Sequence, residues 1–120
     1  MAFSENVQTR TEITSAAVAQ FKFLVQASGL VAQSGTAGVR VEGVSLTDAA
    51  SGKAVTLAYQ GRVPVVAAGT IAKGALVATN NAGNALTATT GQIIAGVARE
   101  AAVSGQVMTI DLRLDGTAAP

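Results

Sequence analysis

The chain has 120 residues, a formal net charge of +1, and neither cysteine nor histidine. That removes disulfide frameworks, thiol catalysis, zinc–thiolate sites, and the commonest general base and metal ligand. The eight basic and seven acidic residues are spread singly, so no basic stripe tracks nucleic acid, and no run of about eighteen apolar residues is present to span a membrane.

Hydrophobic residues make up 49% of the chain, but 25 residues are alanine and 15 are valine, with three Phe, one Tyr and no Trp. Leu, Ile, Val and Phe still supply about a quarter of the sequence, which separates it from compositionally disordered chains. The length fits one domain. A buried methylene contributes only about 0.8 kcal/mol, and alanine offers few, so the core is thin per residue. The expectation is that some apolar surface is buried between chains.

The opening "MAFSENVQTRTEIT" is a polar lead-in without the apolar core of a signal peptide, and the chain reads as made in a cytoplasm. Its isolated apolar points are Phe3, Val7 and Ile13. Two readings stand: a frayed terminus, or an arm over residues 1–14 that drapes on a neighbour and orders there. A single β domain is expected over 15–116, with a short tail at 117–120.

Residues 15–27, "SAAVAQFKFLVQA", fit both periods. Val18, Phe21 and Val25 make a helical face, while Phe21, Phe23 and Val25 alternate with Gln20, Lys22 and Leu24 as in a strand. The reading favours a strand over the second half. After the glycine-rich "SGLVAQSGTAG", "VRVEGVSL" alternates as a strand and "DAASG" turns. "KAVTLAYQGRVPVV" sets Val55, Leu57 and Tyr59 against Ala54, Thr56 and Ala58. Pro64 inside it belongs at a strand start, a bulge or an edge. Gly69 and Gly74 bracket "TIAK", and "NNAGN" supplies turn residues that tolerate left-handed backbone angles. "VMTIDLRLDG" alternates as a half-buried antiparallel strand, with Met108, Ile110, Leu112 and Leu114 on one face. Turn signals every eight to twelve residues predict an all-β fold, a compact small barrel or sandwich.

"GVSLTDAASGKAVTL" at 43–57 returns as "GVAREAAVSGQVMTI" at 96–110. Aligned over 38–57 and 91–110, seven of twenty positions are identical without a gap. Both a structural duplication and cheap reuse of small-residue turns fit that match.

No cluster of chemistry appears. Glu42, Asp48, Glu100, Asp111 and Asp115 are scattered, and the pair Asp115-Gly116 reads as a turn rather than half of an acid–base pair. No phosphate-binding glycine motif is present. Lys73 reads as a turn lysine and Tyr59 as packing. Arg99 and Glu100, side by side, read as facing solvent or a partner. The sequence therefore points to no catalytic residue, no cofactor and no metal, and to surface complementarity as the protein's business.

"FKFLVQASG", "GVSLTDAASGKAVTLAYQGRVPV", "AAGTIAKGALVATNNAGNA" and "IIAGVAREAAVSGQVMTIDL" occur in an order that resembles the small capsid decoration, or cement, proteins of tailed bacteriophages. The resemblance covers roughly residues 20–112. It implies a β domain that forms homotrimers on the outer surface of the capsid, binds the major capsid protein, and stabilises the shell by non-covalent clamping. It also gives the arm a role in gripping the capsid, with Phe3, Val7, Arg10 and Ile13 as contacts. The rhythm around Gly69 and Gly74 is similar to β-clip modules, which leaves a small ligand-binding module as the alternative reading.

Overall fold

The computed structural model describes residues 5–120, with side chains from Val7 onward. Nine strands, with no helix among the described residues, form one antiparallel sheet curled into a half-barrel. They are β1 (Glu5–Ile13), β2 (Phe23–Ala27), β3 (Leu30–Gln33), β4 (Gly43–Ser45), β5 (Ala54–Val66), β6 (Leu76–Thr79), β7 (Ala85–Thr87), β8 (Gly96–Ala98) and β9 (Val107–Leu112). The order across the sheet is β3-β2-β4-β5-β9-β8-β6-β7, and β1 pairs with β5 off that path. The all-β expectation holds.

β5 is the organiser. Ala58 pairs with both Thr9 and Val44, and Arg62 with both Glu5 and Asp111. So β1 lies along one side of β5, while β4 and then β9 lie end to end along the other. The segment expected as an arm therefore holds a strand that is bonded, from Glu5 to Ile13, to its own chain. The helix-or-strand ambiguity at 15–27 resolves into an irregular stretch bridged at Val18 to Ala49, followed by β2 over the second half. Pro64 sits inside β5 opposite Thr109. The Thr109 carbonyl accepts the N–H of Arg99, just after β8, so the backbone groups of this pair point away from each other, and Pro64 leaves no bond to β9 unmade.

The repeat is structural, and it extends well beyond the matching letters. Val44↔Ala58 and Ser45↔Leu57 recur as Val97↔Asp111 and Ala98↔Ile110, each 53 residues on. Phe23↔Val44 recurs as Leu76↔Val97, and the bridge Val18↔Ala49 as Ile71↔Ala102. Even Ile13↔Ala54 recurs, as Val66↔Val107. The first half of β5 thus closes unit 1 as β9 closes unit 2, and its second half opens unit 2 as β1 opens unit 1.

Each unit buries the same small cup. In unit 1 it is Val18, Leu24, Val31, Val55 and Leu57. In unit 2 it is Ile71, Val77, Ala85, Met108 and Ile110, with Ala85 one residue further along. The unit 2 cup runs on into Val63 and Val65 and joins Phe23, Val44 and Ala58 of unit 1 in one cluster. That shared cluster ties the units together.

The glycine that opens each Gly-Val strand is required by close approach. A Cβ on Gly43 would lie 2.3 Å from the Ala58 carbonyl oxygen, and one on Gly96 would lie 2.5 Å from that of Asp111. Gly43→Ala and Gly96→Ala should each destabilise by about 2–3 kcal/mol, read as a lower urea midpoint. Gly52→Ala, at a positive φ but in open space, should cost only about 1 kcal/mol. Equal losses at all three positions would contradict the close-approach account.

Candidate functional site

The two units are alike in backbone and unlike in surface, and the difference marks a face. Unit 2 carries buried Val63, Val65 and Ala95 at the rim of its cup. The corresponding positions in unit 1 are Arg10, Glu12 and Glu42. Arg10 and Glu12 sit on β1 opposite Leu57 and Val55, so their stems extend over the apolar cup while their heads reach water. Arg10 Nε donates to Glu12 Oε2 at 2.8 Å, and its Nη2 to Glu42 Oε1 at 3.3 Å. The guanidinium stands 5.5 Å from the centre of the Tyr59 ring, within cation–π range. Side chains here are about a third exposed, 38% for Arg10 and 32% for both carboxylates. The face offers a planar cation, two carboxylates and an aromatic ring, a set suited to polar docking rather than to acid–base chemistry.

The four expected contact residues separate. Arg10 lies at the centre of this face. Ile13 is 44% exposed at the end of β1 and is available to a partner. Val7 is half-buried and packs against the protein's own main cluster. Phe3 lies outside the described residues. The polar face is not visible in the sequence because Glu42, just before β4, and Tyr59, on β5, lie far from Arg10 along the chain and meet it only in the folded sheet.

Arg99 is exposed, as expected, and Glu100 partly buried, and both bond within the chain. Glu100 accepts the backbone N–H of Thr109, and Arg99 Nε lies 3.2 Å from Asp111 Oδ2. Asp111 also receives Arg62 Nε at 2.9 Å. In unit 1 the Thr47 hydroxyl accepts the N–H of Thr56, the corresponding bond 53 residues earlier. A hydroxyl in one copy and a carboxylate in the other serve the same turn.

No group of three or more potential metal ligands occurs among the described residues. Asp115 has its carboxyl held below the usual carboxylate range, first by the backbone N–H of Thr117 and then by that residue's side chain, with Arg113 adding to it. The ionised form therefore favours the folded tail, a contribution present at neutral pH and lost as pH falls through the lowered folded value. Acidification below the ordinary carboxylate range should lower the protection of the Thr117 amide relative to its intrinsic exchange rate at each pH, and Asp115→Asn should remove that pH dependence. The Arg10–Glu42 pair, measured by a double-mutant cycle, should couple by less than about 1 kcal/mol and weaken with salt.

Comparison with known proteins places this architecture. The family model described as "Phage cement protein" matches residues 4–114. Among solved structures, "The crystal structure of head fiber gp8.5 N base in bacteriophage phi29" is similar, with a TM-score of 0.73 at 19% identity, covering 94% of this chain and 99% of that one. At that identity the likeness is one of fold. No curated protein matches the chain.

Proposed function

Since this chain belongs to the phage cement protein family, and so to capsid-associated structural proteins of phages, we propose that it binds the outer surface of the head as a homotrimer. There it stabilises the shell by non-covalent clamping across subunits of the major capsid protein. The family match over residues 4–114 carries this reading. The partly exposed face of Arg10, Glu12, Glu42 and Tyr59 supports it. That face occupies the rim position which, in unit 2, joins the shared core. Binding the assembled shell and not its dissociated subunits stabilises the shell by mass action. Three faces on one trimer raise retention, because the second and third bind intramolecularly. The virion is the proposed location and the major capsid protein the partner; the mechanism draws on no cofactor, nucleic acid or membrane.

The N-terminal segment is proposed as part of the grip. Deleting it is a poor test, because β1 covers β5 and shields Val55 and Leu57. Substitution of exposed side chains separates docking from folding. The purified chain should sediment with expanded heads and raise the temperature at which they break open. Arg10→Gln combined with Ile13→Ser should weaken retention at least about tenfold, or about 1.4 kcal/mol, with little change in thermal midpoint. A chain that stays in the supernatant, or runs as a monomer in light scattering at working concentration, would overturn the clamping trimer.

A further inference from the structure

One strip of backbone is treated differently in the two units. In unit 2, residues 91–95 carry the chain's own tail. The Ile94 N–H donates to the Thr117 carbonyl, the Arg113 N–H to that of Ala95, and the Ala119 N–H to that of Gln92, each at 2.8 Å. Ile93 faces Ala118 in an antiparallel bridge, and the Ala119 side chain is buried. The corresponding groups in unit 1 are the Val41 N–H and the carbonyls of Glu42 and Val39. None of the three has a hydrogen-bond partner among the described residues.

The cause is visible in the chain path. After β9 the polypeptide continues along 91–95. After the matching point β5 runs on as strand through Gly61, whose φ of +111° suits glycine, and goes on to open unit 2. Residues 39–42, which alternate as a strand in the sequence, are left as an extended strip with an open side. Beside the strip is an open groove of about 430 Å³, walled by Val25, Gln26, Ser34, Thr36, Val39 and Arg40. The buried side chain of Val41, 3% exposed, holds the strip in place. Arg40, exposed where unit 2 has Ile93, has no ion pair among the described residues.

Unpaired backbone groups on a fixed edge are a template for an added strand. We propose that this groove receives an extended strand of the capsid shell protein, running antiparallel to residues 39–42. A small side chain takes the place corresponding to Ala119, and a carboxylate lies within reach of Arg40. The occupant is not a second copy's tail, because the segment of this chain that fits such a strip, 113–119, is already bonded to unit 2 of its own copy. The choice of the shell protein rests on the capsid-docking reading above, while the strand-accepting groove rests on the register alone.

The chain lacks cysteine, so Thr36→Cys places one benzophenone–maleimide probe on the groove wall. The labelled full chain is bound to expanded heads, irradiated and digested, and the cross-linked peptides are identified by mass spectrometry. The expected result is cross-linking to one segment of the shell protein. Arg40→Glu should lower retention on heads at least about tenfold without moving the thermal midpoint, and Arg40→Lys should retain most of the binding. Cross-linking to a second copy of this chain, or none to the shell protein from a chain that still sediments with heads, overturns the proposal. A labelled chain that fails to sediment at all, like the unlabelled one, overturns the capsid reading with it.

Discussion

Everything in this protein hangs on one strand being bonded along both sides. β5 runs for 13 residues and takes β1 on one edge, β4 and β9 on the other. It belongs to both units at once, so neither can detach without breaking a ladder inside the other. A thin core of alanine and valine is enough under that arrangement. Backbone hydrogen bonds hold the units in register, and the side chains need only fill two five-residue cups and the layer between them. The two glycines at close approach follow from the same requirement. β4 and β8 press so tightly on β5 and β9 that a methyl group has no space.

Much of this was legible in the sequence because the duplication preserved what the backbone needs. Gly43 and Gly96, Ser51-Gly52 and Ser104-Gly105, and Thr56 and Thr109 sit at matched turns and contacts, and they stayed alike. The first half of β5 and β9 were visible because one face of each is apolar and the period is two, while β2 buries both Phe23 and Leu24 and shows only as an apolar run. β1 was less visible. Its inward side lies on the polar rim of unit 1, so Arg10 and Glu12 stand where a strand normally shows valines. The strip at 39–42 misled in the opposite direction. Val39 and Val41 alternate correctly, but a strand also needs a neighbour, and β5 runs on through Gly61 into unit 2 instead of returning along the strip. Pairing is a property of the whole chain, and local periodicity does not contain it.

Charged residues were the hardest to read from sequence, for a related reason. Arg99 and Glu100 looked like an outward pair because their counterparts, Leu46 and Thr47, are uncharged. Yet Glu100 and Thr47 accept the same strand N–H in their own units. A hydrogen-bond acceptor was kept while its charge changed. The distinguishing signal is position relative to a turn rather than residue class, and it becomes readable once the two copies are laid on one backbone.

Two similar units joined head to tail raise a problem of termination. Rims and edges that pair within the molecule recur, unpaired, at its ends, and repeated heterologous contacts of that kind build open fibres. The chain closes most of these ends itself. At the rim of unit 1, valine and alanine are replaced by the Arg10, Glu12 and Glu42 cluster, which is half-hydrated and resists apolar stacking. At the strip of unit 2, the tail from Arg113 to Ala119 occupies the backbone groups that would otherwise recruit another strand. The strip of unit 1 has no such cover among the described residues. An edge left open in a chain that closes its equivalent elsewhere is costly unless something meets it, since an unpaired strand edge invites aggregation. On the proposed docking, the partner that closes that edge is the capsid shell, which is met only where the protein is meant to stop.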